Sequence, residues 1–389
     1  MSVATATATA SEIISTVTGG PTELKVHPLP GAPLGAVIEL PEGVKDPSKL
    51  GDKDFETLKK ALQTYLVVVI KDQAELAPES QYELTKRFDP TCAGNYGHSK
   101  EFRNEKSVLR KDGVSVPTVP QVQILGQGEM TNHCGLDKFT LTHPTHNTFH
   151  KNVLSKEEQD AGYTRYYRWH IDAALYGLSP PVATTLLGIH VPPATKRQRI
   201  RYEDTGEEFE VSQAATAFVS GANAFDLLSE EDKKLALETT VEYPPHPFIY
   251  ISDARATSDG LTMVSEGKEL PFDQLPEWEE SKIKRLPLVW TNPVTGKHHL
   301  QTAACAAGSL VRSNGERLGL EETRKELQRL MRPAISPKHV YAHEWQQGDL
   351  VIFYNRGVWH SVTGQFAPGE TRLMHQCNVS SGLDPVCNK

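Results

Sequence analysis

Trp169-His170-Ile171-Asp172 places a histidine and an aspartate one residue apart. Alternate side chains of a β-strand point to the same face, so the pattern predicts a strand on which His170 and Asp172 can bind one metal ion. Far downstream, Gly348-Asp349-Leu350-Val351-Ile352-Phe353-Tyr354-Asn355 is typical of a turn that leads into a buried strand, and His360 follows it. The sequence therefore predicts two strands, distant along the chain, that meet at a metal.

The chemistry of such a site follows from its ligand types and from Arg372, which lies on the next strand-like stretch. Two neutral imidazoles and one carboxylate leave the opposite face of a metal open, which is the facial triad of non-heme Fe(II) oxygenases. A nearby guanidinium can hold the far carboxylate of a dicarboxylate that chelates the iron. Together these residues predict a dioxygenase that uses Fe(II), 2-oxoglutarate and O2.

Composition excludes several other classes of protein. The chain has 389 residues, 38% of them hydrophobic, which is enough to bury a large core. Its net charge is -8 and its pI is about 6.0, and the basic run at 196–201 is followed at once by acidic residues. We therefore expect a small-molecule substrate and no nucleic-acid partner. The longest apolar run, Leu66–Ile70, has the length of a strand, so no membrane span is expected.

Cysteine usage indicates the compartment. The five cysteines are an odd number, are widely scattered and form no Cys-x-x-Cys pair. This pattern favours neither a disulfide scaffold nor a structural zinc site. With no signal-peptide pattern at the N-terminus, we expect a reducing compartment, the cytoplasm. The sequence is compatible with a homo-oligomer but does not specify one.

The organisation predicted along the chain is an Ala/Thr/Ser-rich flexible leader, residues 1–20, followed by a single domain, residues 21–389. A polar hairpin near 196–211 is expected to be an insertion. Amphipathic helices alternate with short strands, one of which is predicted around Phe248–Ile251. Short strands dominate the metal-bearing half. The predicted fold class is α+β, with a double-stranded β-helix (jelly roll) core flanked by helices.

Three segments carry a resemblance to a known family. Trp169–Asp172, the Thr216 segment running into 224–229, and Gly348 through Arg372 resemble the taurine dioxygenase-type branch of Fe(II)/2-oxoglutarate dioxygenases. Within that branch, residues 168–176 and 372–378 are most similar to the fungal xanthine dioxygenases. The resemblance implies hydroxylation of xanthine at C8 to give urate, with 2-oxoglutarate and O2 converted to succinate and CO2.

The resemblance also implies roles for individual residues. His170, Asp172 and His360 would bind the iron. Arg372 would pair with the distal carboxylate of 2-oxoglutarate, and Thr216 would supply a hydroxyl to the same carboxylate.

The purine would be recognised by side-chain amides, since each amide offers both a donor and an acceptor. The amides placed for this role are Gln376, Asn378, Gln121 and Gln123.

Two alternatives remain open at this stage. The same iron chemistry could act on another small polar or anionic substrate, such as a sulfonate or an aryloxyacetate, which would call for a further Arg or Lys in the pocket. The second alternative is a jelly-roll binding protein without catalytic activity. His143, His146 and His150 are interpreted as loop histidines, one of which could reach the substrate pocket.

Overall fold

A computed structural model describes residues 23–92, 94, 113–367 and 369–388, so the predicted leader at 1–20 lies outside the described residues. Helices and strands are interspersed along the described chain, and the α+β class is confirmed. Within the same residues, no helix is long and apolar enough to cross a bilayer.

Short strands make up most of the regular structure. The strands are β1 (Lys25–Pro28), β2 (Ala36–Glu39), β3 (Val67–Ile70), β4 (Val114–Val116), β5 (Val119–His133), β6 (Leu136–Leu141), β7 (Tyr163–Thr164), β8 (Ala183–His190), β9 (Arg197–Arg201), β10 (Glu208–Ser212), β11 (Thr216–Ser220), β12 (Thr240–Glu242), β13 (Arg255–Ala256), β14 (Met263–Val264), β15 (Arg285–Pro287), β16 (Val289–Thr291), β17 (His298–Leu300), β18 (Ser309–Val311), β19 (Val340–His343), β20 (Leu350–Tyr354), β21 (Val358–Val362) and β22 (Arg372–Asn378). The α-helices are α1 (Asp52–Tyr65), α2 (Pro78–Arg87), α3 (Lys156–Asp160), α4 (Gly221–Asp226), α5 (Glu230–Leu237), α6 (Pro247–Tyr250) and α7 (Leu320–Met331).

The largest sheet joins strands from both ends of the chain. Its order is β1-β2-β3-β20-β8-β22-β5-β4, and β6 pairs with β5 beside this path. Strands β3 and β20 are buried along their whole length, because α1 packs on one face of the sheet and a second sheet covers the other. Coverage of both faces explains why continuous apolar runs, rather than alternating ones, mark these two strands in the sequence.

The second sheet has the order β19-β11-β21 and faces the first. The ring of Phe218 on β11 lies 5.3 Å from the ring of Phe353 on β20, centroid to centroid. Phe218 is also 6.0 Å from the imidazole of His360, its register partner on β21. His360 therefore enters the space between the two sheets.

The segment that carries His170 and Asp172 is extended but is not a regular strand, which corrects the prediction. His170 forms an isolated antiparallel bridge with His360, through backbone hydrogen bonds of 3.0 and 2.9 Å. Two residues later, the side-chain amide of Asn355, rather than a neighbouring strand, pairs with the backbone of Asp172. Its Oδ1 accepts from the Asp172 N–H and its Nδ2 donates to the Asp172 carbonyl, both at 2.8 Å.

The strand predicted around Phe248–Ile251 is wrong, since Pro247–Tyr250 forms the short helix α6. Proline is well suited to the first turn of a helix, where its missing N–H leaves no hydrogen bond unmade. His246 just before it has a left-handed φ of 45°, which sets the entry into the turn. Short apolar runs do not distinguish a strand from a buried helical turn, and the proline was the signal that decided here.

The polar segment near 196–211 forms a hairpin of β9 and β10, with Arg201 opposite Glu208 in register. Exposed ion pairs line it, among them Arg197 with Glu210 at 2.9 Å. It joins the short strand β7 in a three-stranded sheet of its own. Whether this hairpin is an insertion stays a prediction.

Candidate metal centre and active-site cavity

Three metal-ligating side chains converge between the two sheets. The ligand atoms of His170, Asp172 and His360 all lie within 4.8 Å of one another. Asp172 Oδ1 is 3.6 Å from His360 Nε2 and 3.9 Å from His170 Nε2. Ligand atoms held about 2.0–2.2 Å from one ion lie roughly 3 Å apart, so a small inward adjustment of these side chains would coordinate a single cation.

The two carboxylate oxygens of Asp172 have different surroundings. Its Oδ2 accepts a hydrogen bond from Thr184 Oγ1 at 2.8 Å and another from Gln376 Nε2 at 3.0 Å. Its Oδ1 faces the two histidines. Donors that occupy one oxygen fix the orientation of a ligating carboxylate, so Asp172 is arranged to bind a metal through Oδ1 alone.

A hydrogen bond orients His170, and burial favours the neutral, metal-binding form of His360. His170 Nδ1 donates to the carbonyl oxygen of Arg168 at 2.8 Å, which leaves the Nε2 lone pair as the ligand. Burial lowers the pKa of His360, because its charged form would lose hydration. The donor set of two imidazoles and one carboxylate, with one face open, therefore fits Fe(II).

A cavity of about 260 Å³ opens onto this face of the three ligands. It lies between the sheets, with apolar walls from residues such as Leu186 and Phe248. Its most distinctive polar lining consists of Gln123, His143, Arg168, Thr216, Arg372 and Gln376. An apolar cavity with a few convergent polar groups beside a metal site is typical of a small-molecule active site.

Arg372 supplies a buried positive charge to the cavity. It is 4% exposed, and within the described residues no acidic side chain forms an ion pair with it. Burial lowers the pKa of its guanidinium to about 9. The group lies 5.9 Å from the ring of Trp345, whose Nε1 donates to Thr216 Oγ1 at 3.0 Å. Arg372 and Thr216 thus share a wall that is complementary to an incoming carboxylate.

Residues 25–378 match the family model described as Taurine catabolism dioxygenase TauD, TfdA family. The chain belongs to this family. The alpha-ketoglutarate-dependent xanthine dioxygenase xanA of Emericella nidulans is 48% identical over 354 residues, which cover 90% of this chain and 95% of the relative. The alpha-ketoglutarate-dependent xanthine dioxygenase xan1 of Schizosaccharomyces pombe is 43% identical over 408 residues, with coverages of 98% and 97%.

Solved structures agree on the fold of this dioxygenase. A putative alpha-ketoglutarate-dependent taurine dioxygenase from Burkholderia xenovorans is similar with a TM-score of 0.57 and covers 94% of each chain at 18% identity. At that identity the likeness concerns the fold alone. The prediction that the chain is a 2-oxoglutarate-dependent dioxygenase is confirmed by its family and its relatives.

The dioxygenase brings two of the four predicted substrate amides to the cavity. Gln123 on β5 and Gln376 on β22 both line it. Gln121 does not, and its Nε2 donates to the carbonyl of Gly94 at 3.4 Å. Asn378 is fully buried outside the lining, and its amide has no hydrogen-bond partner in the described part of the chain. The role of these amides in substrate binding stays a prediction.

Arg168 is a cavity residue that sequence analysis did not assign to the site. It is 5% exposed, and its Nε and Nη1 have no hydrogen-bond partner within the described residues. Its guanidinium lies 5.1 Å from the ring of Phe248 and 5.8 Å from that of Tyr167. The signal was present, since Arg168 stands two residues before His170 in an extended segment and alternation places both on one face.

Among the three loop histidines, His143 reaches the cavity. Burial and the nearby charge of Arg372 lower the pKa of His143 to about 3, and its Nε2 has no partner among the described residues. His146 and His150 lie outside the lining, with His150 Nε2 bound to the carbonyl of Tyr167 at 2.8 Å. The cavity thus contains one neutral imidazole that is not a metal ligand.

Proposed function

We propose that this dioxygenase hydroxylates xanthine at C8 to give urate, while 2-oxoglutarate and O2 become succinate and CO2. The assignment of xanthine as the substrate rests on the 48% and 43% identity to two relatives named as xanthine dioxygenases, over most of each chain. The intact ligand set and the buried Arg372 support retention of the chemistry in this chain. We further propose that the two facing sheets form a double-stranded β-helix.

The metal would be Fe(II), held by His170, Asp172 and His360. Bound iron would supply the activation of O2 that is coupled to oxidative decarboxylation of 2-oxoglutarate. The protein's part is to fix the ligands, and the hydrogen bonds of Thr184 and Gln376 to Asp172 do so before any small molecule enters.

The co-substrate would be oriented by Arg372 and Thr216. A guanidinium can bind a carboxylate through two parallel hydrogen bonds, and burial excludes the water that would compete for them. Thr216 already accepts a hydrogen bond from Trp345, so its hydroxyl hydrogen remains available to donate to the same carboxylate. This arrangement would hold 2-oxoglutarate with its keto end toward the metal.

The substrate would complete hydrogen bonds that the protein leaves unmade. Gln123 Nε2 and His143 Nε2 are buried at the cavity without partners among the described residues. Xanthine is a flat ring with N–H donors and C=O acceptors on its edges, and apolar walls such as Phe248 suit its faces. His143 is neutral and its ring already bonds to the backbone of Thr363, so its Nε2 can accept a hydrogen bond from a purine N–H.

The second candidate is the same chemistry on an anionic substrate, and Arg168 is the observation that favours it. An anionic substrate calls for a further Arg or Lys in the pocket, and Arg168 meets that requirement. Xanthine is itself a weak acid that ionises near neutral pH, so Arg168 is also compatible with binding of its monoanion. The two candidates differ in which molecule couples to succinate formation.

The test supplies the purified enzyme with Fe(II), ascorbate, 2-oxoglutarate and air, with xanthine, a sulfonate or an aryloxyacetate as substrate. We expect equal amounts of urate and succinate with xanthine and only slow succinate formation with the others. Substrate-dependent succinate with a sulfonate or aryloxyacetate, and no urate from xanthine, would reject the xanthine assignment while sparing the dioxygenase chemistry.

A variant addresses Arg168 directly. If xanthine binds as its anion, Arg168→Gln should raise KM for xanthine mainly at the higher pH values, where the anion predominates, and leave KM for 2-oxoglutarate unchanged. An equal rise at all pH values would show that Arg168 recognises the neutral ring or supports the fold.

A further inference from the structure

A second group of metal-ligating side chains lies outside the cavity, on the opposite face of β22. Alternation along this strand points Arg372, Met374 and Gln376 into the cavity and His375 away from it. His375 there meets His133 and Cys134, at the tip of the hairpin formed by β5 and β6. We name His133, Cys134 and His375 the outer cluster.

The distances within the outer cluster are those of ligands around one tetrahedral ion. His133 Nε2 and His375 Nε2 are 2.8 Å apart, and Cys134 Sγ lies 3.5 Å from the first and 3.9 Å from the second. With Zn–N bonds of about 2.0–2.1 Å and Zn–S bonds of about 2.3 Å, a tetrahedral site has N–N and N–S separations of roughly 3.3 and 3.6 Å. The three ligand atoms need to move by only a few tenths of an ångström.

The backbone of the hairpin is unusual at the cysteine. His133 pairs with Leu136, so Cys134 and Gly135 form a two-residue turn with φ values of 48° and 80°. Turns of this kind favour Asn, Asp or Gly at the first position, because other residues are strained at positive φ. A cysteine held there is not explained by the turn, whereas a ligand role for its thiol explains it.

Two glycines allow the hairpin to lie across the sheet. Gly126 has a φ of 150° and approaches β22 so closely that a Cβ there would be 1.8 Å from the carbonyl oxygen of Arg372. At Gly128, which has a φ of 96°, an added Cβ would lie 2.9 Å from the side-chain methyl of Thr371. The hairpin then packs its apolar residues, including Phe139, against the outer face of the sheet. Its tip reaches His375 as a result.

We infer that the outer cluster is a second metal site, which binds Zn²⁺ or a similar borderline-soft divalent cation through two imidazoles and one thiolate. The fourth position is left for water. A hydrogen bond between the two histidines would account for the 2.8 Å contact between their nitrogens. It would not account for the Cys134 sulfur, which lies as far from both nitrogens as a third ligand of the same ion would. Thiolate and imidazole ligands together select zinc over the oxygen-preferring cations.

The chemical state of the ligands suits this assignment. Burial lowers the pKa values of His133 and His375, so both imidazoles are neutral. Burial and the charge of Glu79 raise the pKa of Cys134, so without a cation it stays a thiol. A divalent cation would deprotonate it on binding. The cysteine pattern predicts no zinc site, because an adjacent His-Cys pair and one remote histidine do not resemble the usual paired motifs.

A metal at the outer cluster would link the β5–β6 hairpin to β22, the strand on which Arg372 lies. The residues that follow the hairpin tip return to the cavity, where Thr140, Thr142 and His143 form part of the wall. A cation that bridges His133 and Cys134 to His375 would therefore reduce the mobility of this wall. The role is structural, since none of the three side chains lines the cavity.

The test counts bound ions and identifies a sulfur ligand in the full-length protein. Zn²⁺ is added to the metal-free chain and free ions are measured with a chromophoric chelator. Cobalt binding is followed in parallel, because a thiolate-to-Co²⁺ charge-transfer band in the near ultraviolet reports a cysteine ligand, and the triad of His170, Asp172 and His360 has none. We expect two equivalents of Zn²⁺ and a cobalt band of this kind.

Cys134→Asn is the decisive variant, since asparagine is well tolerated at a positive φ and keeps the turn. It should bind one equivalent of Zn²⁺ and lose the cobalt band. Loss of an outer-shell partner typically weakens metal binding about 10- to 100-fold, so loss of the thiolate should weaken it by about 100-fold or more.

Cys92→Ser, which removes another half-buried cysteine, should retain both equivalents and the band. Asp172→Ala should lose one equivalent but keep the band, which separates the two sites. One equivalent and no cobalt–thiolate band in the unmodified protein, or an unchanged second equivalent in Cys134→Asn, would overturn the assignment.

Discussion

The metal end of the cavity and its substrate end differ in how completely their polar groups are paired. At the metal end, both hydrogen bonds to Asp172 Oδ2, the pairing of its backbone with Asn355 and the hydrogen bond of His170 to the Arg168 carbonyl are already made. His170 and Asp172 are thus oriented by hydrogen bonds, whereas Nδ1 of His360 has no hydrogen-bond partner among the described residues and the ring is held by packing against Phe218 and Phe353. Little rearrangement is needed when an ion binds.

At the substrate end, polar groups remain unpaired. Nitrogen atoms of Gln123, His143 and Arg168 are buried without hydrogen-bond partners within the described residues. Each such group costs about 1–3 kcal/mol relative to a paired one. A polar ligand that pairs with these groups offsets this cost. The contrast indicates that the metal end is organised by the fold and the other end by its small molecules.

Removing the ligand carboxylate should have the largest effect. We expect Asp172→Ala to lower turnover by about a thousandfold or more, since the metal contributes several kcal/mol to the chemistry. Coupled urate and succinate formation is the measurement. Asp273→Ala, at an exposed position, provides a matched control that should keep full activity. A fully active Asp172→Ala enzyme would mean that the metal is bound elsewhere.

Arg372→Met should act through the co-substrate. Loss of a buried guanidinium that pairs with a carboxylate costs about 3 kcal/mol, which corresponds to a rise of roughly 150-fold in KM for 2-oxoglutarate. Without ligand the variant should be at least as stable as the unmodified protein, because an uncompensated buried charge is removed. Thermal unfolding with and without 2-oxoglutarate measures both effects. Stabilisation of the variant by 2-oxoglutarate to the normal extent would contradict the role of Arg372.

Variants at Gln376 and Asn378 distinguish a residue that orients a metal ligand from one that contacts only the substrate. Gln376→Ala removes a donor to Asp172, so the Fe(II) concentration for half-maximal activity should rise about 10- to 100-fold. Asn378→Ala, on the same face of β22 but outside the cavity lining, should leave that concentration unchanged. Equal iron requirements for both variants would place Gln376 among the substrate contacts only.

The sequence predicts the metal end better than the substrate end. His170, Asp172 and His360 are identified because metal binding restricts residue type, order and spacing, and the structure brings them together. Arg372 follows from the same pattern. The prediction of a strand around Phe248 fails, since an apolar run does not show whether its burial is reached by a strand or by a helical turn.

The substrate end depends on which surfaces meet across the fold, and no local pattern encodes this. Gln121 and Gln123 share a strand face, yet only Gln123 reaches the cavity. Arg168 was not predicted, because a residue close to a metal ligand can equally well face the core as the cavity, and its neighbour Phe248 comes from another segment. The outer cluster is missed for a similar reason, since a glycine-dependent fold-back of a hairpin joins residues that are far apart in sequence.

The smallest expected effect concerns stability at mildly acidic pH. In the folded protein the pKa of His143 is lowered to about 3, whereas in the unfolded chain it is about 6.5. Between these values the unfolded state binds more protons, so the free energy of unfolding should fall as the pH falls below about 6.5. The share of His143 is at most about 1.4 kcal/mol per pH unit.

His146 and His150, with pKa values lowered to about 3 and about 4, act in the same direction. Urea unfolding of the unmodified protein and of His143→Gln at several pH values from 6.5 to 4.5 isolates the contribution of His143. The free energy of unfolding of the variant should fall less steeply with decreasing pH. The urea m-values of the two proteins should be similar. Parallel pH dependences would mean that His143 takes up a proton without unfolding. The substrate end of the cavity would then be open to water, and its contrast with the metal end would rest on exposure rather than on unmade hydrogen bonds.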